Sequence, residues 1–138
     1  MSNKQAGTDF EKEFCQLVSK AGFWAHMLNA NMRGQPADVI IAKNGKTALV
    51  DCKDCEHDIF PFSRIEENQE LSMKKWLITG NRNAVFVLKV SSGIRVIPFN
   101  ILNTYKETGD KQFNLAQIHK FGKPLKDWVD EFNAYNNK

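Results

Sequence analysis

Asn44-Gly45 is the feature that leaves this chain least freedom, because it sits between two apolar runs, "DVIIAK" and "KTALVD". Asn and Gly tolerate positive φ at both central positions of a type I′ turn, whose twist matches that of the flanking strands. A two-residue loop then dictates the pairing: Lys43 opposes Lys46, Ile41 opposes Ala48, Val39 opposes Val50, and Asp38 opposes Asp51. Opposed residues share one side of a sheet and neighbours alternate, so Lys53 joins the two aspartates while Cys52 points away.

Directly opposed Cβ atoms lie ~4.5–5.5 Å apart, and like charges placed that way destabilise a sheet. Lys53 offsets part of the repulsion. Two converging carboxylates also suit a hard divalent cation. Mg²⁺, which keeps several waters and shares itself with substrate phosphate, is the expected guest. Such a site is open and catalytic rather than structural. The plainer alternative is a solvated rim of strand-end charges with no metal.

Elsewhere, Phe10, Phe14, Leu17, Val18 and Ala21 recur at helical spacing from Thr8 onward, and Gly22 stops them. Thr8 and Glu11 have capping-box spacing, which explains Glu11 without catalysis. "FWAHM" reads as a short strand and "RGQP" as loop. Ser63 and Glu66 open a second helix running to Leu77, which Gly80 and Asn81 end. "NAVFVLKV" and "IRVIPF" form another hairpin around Ser91-Ser92-Gly93. A weaker helix or turn follows Asn100, and Pro124 starts a terminal helix carrying Leu125, Trp128, Val129 and Phe132. This order predicts one α/β domain over 1–138, a central mixed, twisted sheet flanked by helices, with flexible ends at 1–6 and 134–138.

With 42% hydrophobic and 25% charged residues the chain falls in the ordinary globular range, and no apolar run approaches the ~20 residues of a membrane span. "MSNKQA" lacks the apolar core of a signal peptide, which predicts a cytoplasmic protein whose three cysteines stay reduced. A net charge of +3 permits a polyanionic partner without demanding one.

Glu11, "QPAD" ending in Asp38, and "DCK" from Asp51 to Lys53 together resemble the PD-(D/E)xK nuclease signature. The resemblance implies a restriction-endonuclease-like fold. In it Asp38, Asp51 and the backbone carbonyl of Cys52 bind Mg²⁺ or Mn²⁺, Lys53 positions the attacking water, and Glu11 assists the metal or its water shell. "FPFSRIEENQ" is similar to the phenylalanine-proline entry and helix glutamine of RecU-type Holliday-junction resolvases, and "QIHKFGKPLKDW" to their closing segment. "GTDFEKEF" resembles the opening helix of bacterial and archaeal resolvases alike. The implied protein is a RecU-like resolvase that cuts branched DNA, above all four-way junctions, as a homodimer. A phage origin, with action in the host cytoplasm, stays open. Three departures stand out. About thirteen residues replace the insertion that forms the RecU stalk, the middle acid is Asp51 rather than glutamate, and Ala37 separates the proline from Asp38.

Gln69 falls near the centre of the apolar face formed by Ile65, Met73 and Trp76, where an amide must find partners. A hydrogen bond to a nearby strand would satisfy it; the resemblance instead places it at the active site. Glu13 competes with Glu11 on the residues alone, and the resemblance favours Glu11. Cys52 and Cys55 form C-x-x-C before His57, but only the distant Cys15, His26 and His119 remain to complete a zinc site, so Cys52 is expected to be a small inward hydrophobe.

The expected DNA contacts are Lys4, Arg33, Arg64, Lys74 and Lys75, against the alternative of a mixed soluble surface. Lys43 and Lys46 sit at the far end of the hairpin, and Trp24, Trp76 and Trp128 are expected in the core or an interface. Rival functions are a restriction-like or repair nuclease acting on duplex or nicked DNA, and a DNA-binding or interaction module that no longer cleaves.

Overall fold

The computed structural model describes residues 3–28 and 37–133, with side chains from Asp9 onward. Arg33, the "RGQP" loop and the 134–138 end lie outside these residues, as does the side chain of Lys4. In chain order the elements are α1 (Asn3–Lys20), β1 (Trp24–Met27), β2 (Val39–Lys43), β3 (Lys46–Asp54), β4 (Phe60–Pro61), α2 (Glu67–Ile78), β5 (Ala84–Val90), β6 (Gly93–Pro98), α3 (Phe99–Glu107), β7 (Gln112–Phe113), α4 (Leu115–Phe121), β8 (Lys123–Pro124) and α5 (Leu125–Asn133). Six strands form one mixed sheet in the order β1-β2-β3-β5-β6-β8, in which only β3 and β5 run parallel.

The turn chemistry holds. Asn44 and Gly45 have φ of 54° and 76°, and the pairing from Lys43–Lys46 to Val39–Val50 follows the register a two-residue loop requires. At Asp38 the ladder breaks, which corrects the expected Asp38–Asp51 opposition. The Asp38 N–H bonds the Val50 carbonyl at 3.0 Å, and its carboxylate accepts the Cys52 N–H at 2.8 Å. A short acidic side chain thus takes the backbone donor that a continued strand would have used.

Alternation along the strands gives the sheet two apolar faces. Phe10, Phe14 and Val18 of α1 and Trp128 and Phe132 of α5 cover one face, against Val39, Ile41, Val50, Cys52 and Val87. The other carries Leu49, Phe86, Leu88 and Ile97, packed against Met73 of α2, Leu102 of α3 and Ile118 of α4. β4 pairs with β7 in a separate two-stranded ribbon. There the Phe62 ring meets Phe113 edge-on at 5.1 Å and anchors the approach to α2.

Three local expectations change. α1 begins at Asn3, so Thr8 is interior and cannot cap the helix, and residues 3–6 are helical. α2 begins at Glu67, and Ser63 belongs to a 3₁₀ turn spanning Phe62–Arg64. Of the core or an interface, Trp24 is left only the second: it is 60% exposed, because β1 is an edge strand and, among the described residues, no helix covers that corner of the sheet. Trp128 is buried as expected.

Candidate active site

β3 carries the centre of the site. Its alternation places Leu49, Asp51 and Lys53 on the face covered by α2, and Val50 and Cys52 on the face covered by α1. Asp51 is wholly buried. Its Oδ1 accepts a hydrogen bond from Gln69 Nε2 at 2.9 Å, while its Oδ2 lies 3.2 Å from Lys53 Nζ without hydrogen-bond geometry. Among the described residues, Oδ2 is therefore a buried acceptor with no donor.

Gln69 is fixed from three sides. Its Oε1 accepts the Glu66 N–H at 3.2 Å and faces Lys53 Nζ at 3.4 Å, while its amide nitrogen serves Asp51. The first of these bonds closes the N-terminal turn of α2, so the start of the helix and the orientation of the Asp51 carboxylate depend on one side chain. A polar residue on an apolar helix face is thereby satisfied by the strand it covers.

Asp38 joins the two layers. At the point where the β2–β3 ladder ends, it is 5% exposed, its carboxylate accepts the Cys52 N–H, and Glu11 of α1 lies close enough for the two acids to repel one another. Glu13 points elsewhere and pairs with Lys89 at 2.8 Å, so the geometry brings Glu11, not Glu13, to the aspartates. In a strand the N–H and C=O of one residue point to the same side, so the Cys52 carbonyl faces the side where Asp38 sits.

Crowding of acids marks the electrostatics. Burial pushes the Asp51 carboxyl well above its usual range, repulsion from Asp38 adds to this, and Lys53 opposes it. Glu11 is pushed up to about 7, first by burial and then by Asp38. Sequence reasoning missed Cys15, one helical turn from Glu11: burial, Glu11 and Asp38 together push its half-buried thiol up. The i, i+4 spacing on α1 was the available signal. Cys52 and Cys55 lie in opposite cores, and burial raises both thiols, that of Cys55 to about 11, so they form no joint site.

The residues fit an open divalent-cation site. Two buried carboxylates repel one another, one of their oxygens has no donor, and a carbonyl faces the same side. Among the described residues no group of three His, Cys, Asp or Glu side chains is placed to hold a metal ion by itself, so water, a carbonyl or substrate would have to complete the site.

The expected DNA contacts are scattered. Lys74 pairs with Glu70 at 2.9 Å on α2, and Lys75 is exposed one residue on. Arg64 is committed to the fold, its Nη1 donating to the Asp54 carbonyl at 2.9 Å at the end of β3. Lys43 donates to the Ala21 carbonyl at 2.5 Å, and Lys46 to the Glu131 carbonyl at 3.3 Å, both at the opposite end of the hairpin.

The architecture is a mixed sheet between helical layers, with acids and a lysine where β2 and β3 part. A comparison with solved structures agrees: Hjc of Archaeoglobus fulgidus, a Holliday junction resolvase from an archaeal hyperthermophile, matches with a TM-score of 0.68 over 89% of this chain and 99% of that one. Sequence identity is 16%, so the likeness is one of fold. No protein-family model and no curated protein sequence matches the chain. Among the described residues no helix is long and apolar enough to cross a membrane.

Proposed function

We propose that this protein is a Mg²⁺- or Mn²⁺-dependent endodeoxyribonuclease that resolves four-way DNA junctions by paired, symmetric phosphodiester hydrolysis. The observation that carries this reading is the buried Asp51–Lys53–Gln69 cluster, joined through Asp38 to Glu11, on a fold shared with a Holliday junction resolvase. Asp38, Asp51 and the Cys52 carbonyl would hold the cation, which when bound polarises the phosphate and lowers the pKa of a water.

The chain's own groups do the positioning. Gln69 holds Asp51 through Oδ1, leaving Oδ2 without a hydrogen bond and with the Lys53 ammonium 3.2 Å away. Lys53 places a positive charge beside that oxygen, where it stabilises negative charge growing on a phosphate. Glu11 brings a further acid to Asp38 from the other helical layer. Two symmetric cuts need two such clusters, so the working particle is a homodimer. The RecU-like assignment rests on the sequence motifs alone.

The short connection between Ala21 and Gly34 favours a second reading, a nuclease for duplex or nicked DNA, since it has no room for a junction-entering stalk. Cleavage of a labelled four-way junction and a matched duplex, in Mg²⁺ or EDTA, with wild type and Asp51→Asn, separates them. Paired nicks confined to the junction, with binding but no cutting by the variant, are expected. Equal cutting of both DNAs selects the second reading, and no cutting in Mg²⁺ or Mn²⁺ rejects catalysis.

A further inference from the structure

The outer side of α2 carries a pattern that the active site does not use. Glu67, Leu71, Lys75 and Ile78 fall within about 80° of one another around the helix, and all four are exposed, Leu71 by 60% and Ile78 by 84%. Beside this stripe runs an apolar groove of about 640 Å³, floored by Ile40 and Leu49 of the sheet and by Leu28 just past β1, and walled by Leu71 and Trp76. Trp24 extends the same face, because its partner Ala42 lies two residues from Ile40 on β2.

The charges of the stripe are placed symmetrically. Glu67 lies four residues before Leu71 and Lys75 four after it. Neither has an ion-pair partner among the described residues, whereas their neighbours do: Glu70 pairs with Lys74 at 2.9 Å and with Lys106 at 2.5 Å. The helix dipole accounts for an acid early and a base late, but not for an exposed leucine centred between them.

We propose that this face is the two-fold contact between two copies of the chain, with α2 packed antiparallel to α2 about Leu71. In that arrangement Glu67 of each copy meets Lys75 of the other, Leu71 meets Leu71, and Ile78 closes over the neighbouring groove. The contact is isologous, as a C2 dimer requires. Leu71, Ile78 and Trp24 expose on the order of 400 Å², about half of the ~800 Å² that each partner gives to a standard interface, and the groove supplies more. Choosing a second copy as occupant rests on the junction-resolving reading, and independently on this charge pattern. It also sets the two Gln69 side chains two residues from the axis, so the active sites flank the contact.

Charge reversal tests it by sedimentation, without DNA. Wild type is expected to be a dimer at micromolar concentration. Glu67→Lys and Lys75→Glu should each weaken dimerisation roughly tenfold or more, while an equimolar mixture of the two, or the double reversal in one chain, should restore it. Leu71→Asp should give a folded monomer with unchanged circular dichroism whose melting, lower than that of wild type, no longer depends on protein concentration, and Leu17→Asp on α1 should remain dimeric. A monomeric wild type, single reversals that dimerise normally, or a mixture that fails to recover overturns the proposal. A dimer obeying the charge rule that cuts no DNA would remove the nuclease reading and leave this interface standing, whereas paired nicking by the Leu71→Asp monomer would do the reverse.

Discussion

The two ends of the β2–β3 hairpin meet the same problem and solve it differently. At the turn, Lys43 stands opposite Lys46; at the open end, Asp38 and Asp51 converge. Each lysine has a separate outlet: Lys43 reaches the Ala21 carbonyl and Asn133 and lies over the Phe23 ring, and Lys46 reaches the Glu131 carbonyl. The repulsion is dispersed into caps and solvent. The aspartates are buried, Asp51 is held between Lys53 and Gln69, and its Oδ2 makes no hydrogen bond among the described residues. Unrelieved repulsion that folding could have removed is the physical mark of a site that awaits a ligand.

Asp51→Asn should break this contrast most strongly. It removes the buried charge while keeping the shape of the side chain, so cleavage is lost. Because burial and Asp38 together disfavour the charged form of Asp51 more than Lys53 favours it, the same variant should melt higher than wild type in EDTA, by roughly 3–6 °C. Thermal melts with and without Mg²⁺ check both halves: wild type should gain stability from the cation and the variant should not. A variant that melts lower in EDTA would mean that the Lys53 pair outweighs the repulsion.

Gln69→Leu comes next. The substitution leaves Asp51 Oδ1 and the Glu66 N–H without their partner, and an orphaned buried polar group costs about 1–3 kcal/mol. Denaturant unfolding should show a loss of that size. Gln69→Glu would add a third acid to the cluster and should lose more in EDTA than in Mg²⁺. Equal losses in both would place Gln69 outside the influence of the cation.

The pH dependence follows with a smaller effect. A carboxyl whose folded pKa lies above its unfolded value holds its proton more tightly in the native state. The stability it contributes is complete below the unfolded value of 4.5 for Glu11 and is lost as pH rises through about 7. Asp51 acts in the same direction. Metal-free protein should therefore unfold at lower denaturant at about pH 8 than at about pH 5, and Mg²⁺ should reverse the order. Asp58 and Glu70 have lowered pKa values and lose their contribution only as pH falls below the ordinary carboxylate range, so they leave this window untouched. A flat profile between the two pH values would sever the link between the acid cluster and stability.

Turn chemistry made the hairpin legible, because Asn44-Gly45 acts through local φ preferences that tertiary packing rarely overrides. Gln69 was legible for the opposite reason: an amide on an apolar helix face must find a partner, and the covering strand provides one. The fold class, a mixed sheet between helices, followed from the order of periodic segments. What stayed hidden depends on contacts that have no sequence period. Asp38 leaves the ladder because its own side chain competes for the Cys52 N–H. Arg64 is tied to a carbonyl that only the end of β3 presents. The two-residue strands β4, β7 and β8 are too short to alternate, and Trp24 reads as core by its neighbours although its strand lies at an edge.

The smallest effect belongs to the turn end. Lys46→Ala removes one member of the opposed lysine pair together with its hydrogen bond to the Glu131 carbonyl at 3.3 Å. Relief of repulsion and loss of the bond have opposite signs, and the side chain is solvated, so stability should change by no more than about 0.5 kcal/mol and stay the same in EDTA and Mg²⁺. Urea unfolding of Lys46→Ala beside Asp51→Asn reads the two ends of one hairpin with the same measurement. If Lys46→Ala shifted stability as much as Asp51→Asn, or did so in a Mg²⁺-dependent way, opposed like charges would carry no information about function, because the fold would be storing comparable repulsion at both ends.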